Sequence, residues 1–249
     1  MLIAVIPARG NSQGVRKKNI QTIGGKSLVN LAVELSLGSH LVDLTILTTD
    51  DKEIVSNAGQ FSHYEDIFEK LDYGELRDLS SKMILHKRRS EHARSNSKTV
   101  DAVLEIIQKK EFSREDLILL LQPTSPFRQT NEIEKLLSLH KSEKTADAVI
   151  SAKLFDSPHP GKAIRIQGNR MLYDEKLVNN LSSPRQELPN YYVFDGAYYL
   201  TTVKNILQNN SFISKETAIF IREGISTINI DNETDLELAR LAFAQTKKS

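Results

Sequence analysis

Residues 2–6, Leu-Ile-Ala-Val-Ile, are an apolar run rich in β-branched side chains, which fits a buried strand better than a helix. Pro7 ends the run, because it has no N–H to give to a ladder. The chain then turns small, polar and cationic, with Gly10 and Gly14 set among Arg9, Arg16, Lys17 and Lys18. A buried strand emptying into such a loop can aim backbone N–H groups and cationic side chains at one anion. The natural anion is a phosphate or a pyrophosphate.

Two familiar phosphate loops do not account for it. The dinucleotide fingerprint G-x-G-x-x-G is absent, since Ser12 stands two places after Gly10. Gly25-Lys26-Ser27 supplies the end of a Walker loop, but its first glycine would fall on Ile20. Gly24-Gly25-Lys26-Ser27 reads instead as a turn into a helix starting near Ser27, with apolar residues at 28, 31, 32 and 35.

The loop resembles the N-terminal signature of the sugar nucleotidyltransferases, and most closely that of the CMP-sialic acid synthetases (acylneuraminate cytidylyltransferases). Ile6, Pro7, Ala8, Arg9, Ser12, Gly14, Lys18 and Asn19 match its spaced pattern, while Gln13 stands where that family usually has lysine. A second motif follows the apolar run 117–121: Gln122-Pro123-Thr124-Ser125-Pro126-Phe127-Arg128 nearly reproduces the family's Q-P-T-S-P-L-R. Two prolines around Thr-Ser fix a tight loop at a strand's end.

Strands are expected at 41–49, 82–85, 117–121, 148–153 and 226–230, and helices at 27–37, beyond a cap at Asp50 or Asp51 toward Ala58, around 100–107 and at 233–244. Alternating strands and helices imply an α/β fold with a mostly parallel sheet and helices on both faces, and the resemblance implies that this sheet is the Rossmann-like one of a nucleotidyltransferase. In such sheets ligands collect at the carboxyl ends of the strands, where the Arg9 loop would lie. Residues 61–80 are charged, aromatic and partly helical in pattern, and read as a surface excursion more readily than as a specificity element. Residues 154–194 lack clear helical periodicity and hold four of the seven prolines, so they read as an arm leaving the sheet. The resemblance then implies that 1–153 with 195–249 is the nucleotidyltransferase domain, and that 154–194 is a protruding dimerisation arm.

Composition excludes several classes. Thirty-three Lys plus Arg against 32 Asp plus Glu leave a net charge of +1, which gives no global pull toward nucleic acid or a membrane. There is no cysteine, hence no disulfide, thiolate metal site or thiol nucleophile. No apolar run approaches the roughly 18 residues of a membrane span. The start of the chain enters a strand at once and leaves no room for a signal peptide. A cytoplasmic location is the expectation.

The resemblance implies roles residue by residue. Arg9, Lys18 and Asp231 would carry the catalysis, and Ala8, Arg9, Ser12, Asn19 and Arg88 would contact the nucleotide, CTP. Gln122 would meet an acidic nine-carbon sugar, with Tyr199 and Phe212 near its N-acetyl group; aromatic residues there would serve equally in a core. Lys162 and Arg185, on the arm, would reach the partner's site in a homodimer. Mg²⁺ would rest on Asp231 and Asn229, the latter standing where the family has a second aspartate. Ser95, Val193 and Asp195 are further departures from the family's pattern. The implied reaction joins CTP to a sialic acid, or to a legionaminic, pseudaminic or octulosonic acid, with a catalytically impaired nucleotide-binding protein as the rival from another class.

Overall fold

The structure, a computed structural model, describes residues 1–246 other than 13, 95, 156 and 174. Gln13 and Ser95, singled out above, therefore lie outside the described residues. The main strands are β1 (Leu2–Pro7), β2 (Leu44–Thr49), β3 (Leu76–Ser80), β4 (Met83–Lys87), β5 (Leu117–Leu120), β6 (Ala148–Leu154), β7 (Tyr192–Thr202) and β8 (Thr217–Ile221). They form one eight-stranded sheet in the order β8-β6-β7-β5-β1-β2-β4-β3. Only β7 and β3 run antiparallel to their neighbours.

Alternation along β1 builds two cores at once. Ala4 and Ile6 pack with α1 (Leu28–Gly38), α2 (Lys52–Ser56) and α6 (Thr130–Ser142). Ile3 and Val5 pack on the other face, against α5 (Thr99–Lys110) and α8 (Val203–Asn209). All four side chains are fully buried. Burial of each large aliphatic one is worth about 1.5–3 kcal/mol. A third cluster joins Val15 of the cationic loop to Ile23, Leu28, Ile230 and the apolar face of α9 (Glu233–Thr246). That packing seats the loop on the rest of the protein.

Two shorter helices, α3 (Glu65–Lys70) and α4 (Ser90–Ala93), lie between α2 and α5, and the starts of α1 and α2 fall where the sequence places them. Ser27 Oγ accepts from Asn30 N at 3.1 Å, and Asp51 Oδ1 from Glu53 N at 2.9 Å. From β1 the chain passes to β2 and β4 on one side, then returns to β5 on the other. The loops after β1 and β5 thus part across a crevice at the carboxyl ends of adjacent parallel strands.

Three expectations are corrected. Residues 226–230 form no ladder: Gly224–Thr227 is a 3₁₀ turn, and Ile230 gives its N–H to Thr124 O at 2.8 Å while its side chain fills the third cluster. The strand nearest the C-terminus is instead β8, whose Ala-Ile-Phe-Ile run pairs parallel with β6. Residues 61–80 are more than an excursion, since Phe61, Phe68 and Leu71 enter the first core and β3 covers the sheet edge. Finally, the segment between β6 and β7 is partly regular. It carries the helix α7 (Glu175–Ser182) and a two-residue ladder at Ile166–Gln167 and Arg170–Met171.

Candidate active site

The crevice gathers Arg9, Ser12, Lys18, Asn19, Arg88, Gln122, Asn229 and Asp231 into one cleft. The cationic loop is held from beneath by backbone bonds. Ala8 is buried and gives its N–H to Thr48 O at 3.0 Å, so it shapes the loop rather than lining the cleft. Gly10 N donates to Asp50 Oδ1 at 2.9 Å, and the Asn19 amide to Arg9 O at 2.8 Å. Arg9 Nη1 reaches Arg94 O at 2.8 Å, tying the loop to the segment that follows β4. Lys18 crosses to the last loop: its Nζ donates to Ile230 O at 2.9 Å and Asp231 O at 3.2 Å, and lies 3.6 Å from Asp231 Oδ1. The two loops touch at Gly14, where a Cβ would stand 1.9 Å from the Asp231 carbonyl oxygen.

Asp231 is available to a ligand. Capping of α9 falls to its neighbours: Asn232 Oδ1 accepts from Asp235 N at 3.0 Å, and Asp235 Oδ2 accepts from Asp231 N and Asn232 N. The Asp231 side chain is 74% exposed. Asn229 donates its amide to Asp231 Oδ2 at 3.0 Å and accepts from Ser125 Oγ at 3.1 Å. Among the described residues no group of three or more His, Cys, Asp or Glu side chains could cage a metal. The exposed Asp231 carboxylate suits Mg²⁺, which keeps waters and substrate phosphates as most of its ligands; the Asn229 oxygen is turned to Ser125 and presents only its amide nitrogen to Asp231.

Arg88, within the basic run Lys87-Arg88-Arg89, is buried to 3% exposure. Its Nε donates to Thr48 Oγ1 at 3.2 Å and its Nη2 to Thr48 O at 3.1 Å. Burial, with Arg9 nearby and Asp50 opposing, brings its pKa down to about 10, so it stays cationic at neutral pH. Its neighbour Arg89 turns away to Glu105 Oε1 at 2.6 Å.

On the opposite wall, the Gln122 loop is braced by buried charges that the sequence does not announce. Arg128 holds Gln122 O, and donates to Ala197 O at 2.7 Å. The Arg128 and Arg222 guanidinium groups both approach the Tyr198 ring, 5.6 and 5.2 Å from its centroid. Arg222 Nε meets Glu132 Oε1 at 2.8 Å, and its Nη1 meets Asp195 Oδ2 at 2.7 Å. Asp195, an oddity in sequence, is thus the counter-ion of Arg222. The only signal for Arg222 is one cation closing an apolar strand.

Other expected residues lie elsewhere. Tyr199 and Phe212 pack together at 6.1 Å on the α8 side, with Phe194 6.4 Å from Tyr199, and do not line the cleft. Val193 is half-exposed near the start of β7. Lys162 and Arg185 sit on the segment between β6 and β7, Arg185 beside His159, Gln186 and Tyr191 in a separate groove. His92 and Ser97 line the cleft without having been singled out.

Fold and cleft together define an α/β nucleotidyltransferase-type domain with a cationic cleft at its switch point. Residues 3–67 match the model of the Cytidylyltransferase family. The chain is 29% identical over 243 residues to the CMP-N,N'-diacetyllegionaminic acid synthase of Legionella pneumophila, covering 95% of this chain and 94% of that one. It is 24% identical to the N-acylneuraminate cytidylyltransferase of Escherichia coli, across 96% of this chain and 51% of the relative. The structure of CMP:2-keto-3-deoxy-manno-octonic acid synthetase complexed with CTP superposes with a TM-score of 0.61 at 18% identity, covering 98% and 99% of the two chains. The resemblance read from the two loops is borne out, and so is the nucleotidyltransferase fold.

Proposed function

We propose that this protein is a cytidylyltransferase that couples CTP to a nine-carbon acidic sugar and releases pyrophosphate. The observation that carries the reading is the convergence of Arg9, Lys18, Gln122 and Asp231 on one cleft at the ends of β1 and β5. The sugar's anomeric hydroxyl attacks the α-phosphorus while pyrophosphate leaves in line, so most of the protein's task is positioning and charge stabilisation. Arg9, Ser12 and Lys18 bind the triphosphate; Asn19 and Arg88 lie toward the cytidine; Gln122 orients the sugar. Asp231, with Asn229 beside it, would hold Mg²⁺, which when bound would offset phosphate charge and acidify the attacking hydroxyl. Among candidate sugars the legionaminic type is supported by the 29% identity over nearly the whole chain.

The test is pyrophosphate release with CTP and a panel of nonulosonic acids, alongside calorimetry of CTP binding. Arg9→Ala is expected to weaken CTP by about 1.5–3 kcal/mol, the worth of a charge-assisted contact. Unchanged CTP affinity would sink the loop assignment, and a preference for ATP would sink the cytidylyltransferase reading.

The same reading makes the protein a cytoplasmic homodimer, with residues 154–194 as the dimerisation arm. That segment exposes Ile164, Ile166, Leu172, Tyr173 and Tyr192, an apolar surface suited to a second copy. Lys162 and Arg185 would then meet the carboxylate or phosphates in the partner's cleft, arginine by its bidentate fork. Arg185→Ala should lose activity as a folded dimer, and mixing it with Asp231→Ala should restore some, because a hybrid can hold one intact site. Absence of rescue with verified subunit exchange would mean that each site is built from one chain.

A further inference from the structure

Adjoining Arg88 lies a file of buried polar groups, Thr48, His86 and Glu105, that do not line the cleft and that the proposed reaction does not use. Thr48 Oγ1, which accepts from Arg88 Nε, lies 2.9 Å from His86 Nδ1. His86 is fully buried, and its Nε2 faces Glu105 Oε2 at 3.5 Å. Neither of these two atoms has a hydrogen-bond partner among the described residues. The other carboxylate oxygen of Glu105 is fixed by Arg89 Nε at 2.6 Å. His92, which lines the cleft, approaches Glu105 Oε2 at 3.9 Å.

The order of donors in this file follows from chemistry. A carboxylate opposite Nε2 attracts a proton there, because two acceptors facing each other in a buried site repel. A neutral imidazole protonated at Nε2 leaves Nδ1 as an acceptor, which turns the Thr48 hydroxyl proton toward it. The lone pairs of Thr48 Oγ1 then point at Arg88, whose guanidinium can only donate. Burial, with Arg88 as the first of several nearby cations, lowers the His86 pKa to about 3, so the ring stays neutral and the order persists at physiological pH.

We propose that His86 and Glu105 are positioning residues for the nucleotide wall: through Thr48 they fix the Arg88 guanidinium in the orientation that receives the nucleotide. This rests on the reading of the cleft as the CTP site. Without an acceptor at Nδ1 the Thr48 hydroxyl is free to rotate, and Arg88 loses a directed partner while keeping its charge.

The test is CTP affinity by calorimetry, with Mg²⁺ and without sugar, in His86→Leu, Arg88→Ala and the double variant. Thr48→Val serves as a second, nearly isosteric cut in the file should His86→Leu fail to fold. His86→Leu and Thr48→Val are each expected to weaken CTP about tenfold, the scale of one charge-assisted hydrogen bond. Arg88→Ala should weaken it further, and His86→Leu or Thr48→Val added to Arg88→Ala should change nothing more, because they act through the side chain already removed. A general packing defect would weaken binding by the same factor in both backgrounds, and that result overturns the proposal. So does wild-type affinity in a folded His86→Leu or Thr48→Val protein while Arg88→Ala is impaired. If Arg88→Ala itself binds CTP normally, the assignment of this wall to the nucleotide fails first, and the proposal with it.

Discussion

Arg222→Leu is expected to destabilise the fold by about 3–5 kcal/mol, the cost of leaving buried carboxylates without their cation. The Arg222 and Asp195 side chains are 1% and 0% exposed, and Glu132 is 10% exposed. Leucine would fill part of the volume but satisfy neither acid. Urea unfolding at pH 7 measures the loss directly. Adding Asp195→Asn and Glu132→Gln to Arg222→Leu should recover part of it, because the uncompensated charges are then gone. A loss under about 1 kcal/mol for Arg222→Leu alone would mean that water reaches the two acids and the brace is not a sealed network. The functional effect should fall on the sugar side, since Arg222 and Arg128 together hold the backbone of the Gln122 loop at Phe127 O and Gln122 O.

Gly14→Ala is expected to reduce kcat/KM at least about a hundredfold, the scale set by ångström-level misplacement of reacting groups. The new methyl carbon would stand 1.9 Å from the Asp231 carbonyl oxygen and 3.0 Å from its carbon, both backbone atoms. No rotamer change relieves such a contact, so the two loops must part. Lys18, which spans them through Ile230 O and Asp231 O, then loses its grip. Gly25→Ala is the control: Gly25 has φ +83° but open space around its Cβ position. It should cost about 1–2 kcal/mol of backbone strain while leaving turnover near wild type. Activity of Gly14→Ala within threefold of wild type, with unchanged circular dichroism, would show that the loops do not need this close approach.

Much of the nucleotide side was legible because its signals are local. A β-branched run, a proline and a cationic glycine loop lie within one short stretch, and 3.6-residue periodicity marks α1, α5 and α9. The Ile228-Asn229-Ile230 alternation misled because it shows only a period of two, and that pattern serves equally for a segment whose isoleucines fill a cluster under a loop. β8 was passed over for the same reason in reverse: its apolar run is short, and its partner β6 lies far back in the chain. Arg88 reads as a nucleotide contact only through the resemblance; nothing local says that it is buried, or that Thr48, 40 positions earlier, offers two acceptors. The Arg222 brace is still less local, its partners lying 90 and 27 positions away. Such charges become visible only once the sheet order is known.

The two-sided strand β1 has a genetic consequence. None of its residues from Leu2 to Ile6 has a side chain free to vary, because each is committed to one core or the other. The Arg9 loop starts where that strand stops, so its placement is inherited from side chains that never meet a substrate. In a library selected only for loss of turnover, hits should crowd into this stretch beside those in the cleft. Many of the affected proteins would still accumulate in the cell, slightly displaced at one end of a strand, and would be mistaken for lesions of the chemistry itself.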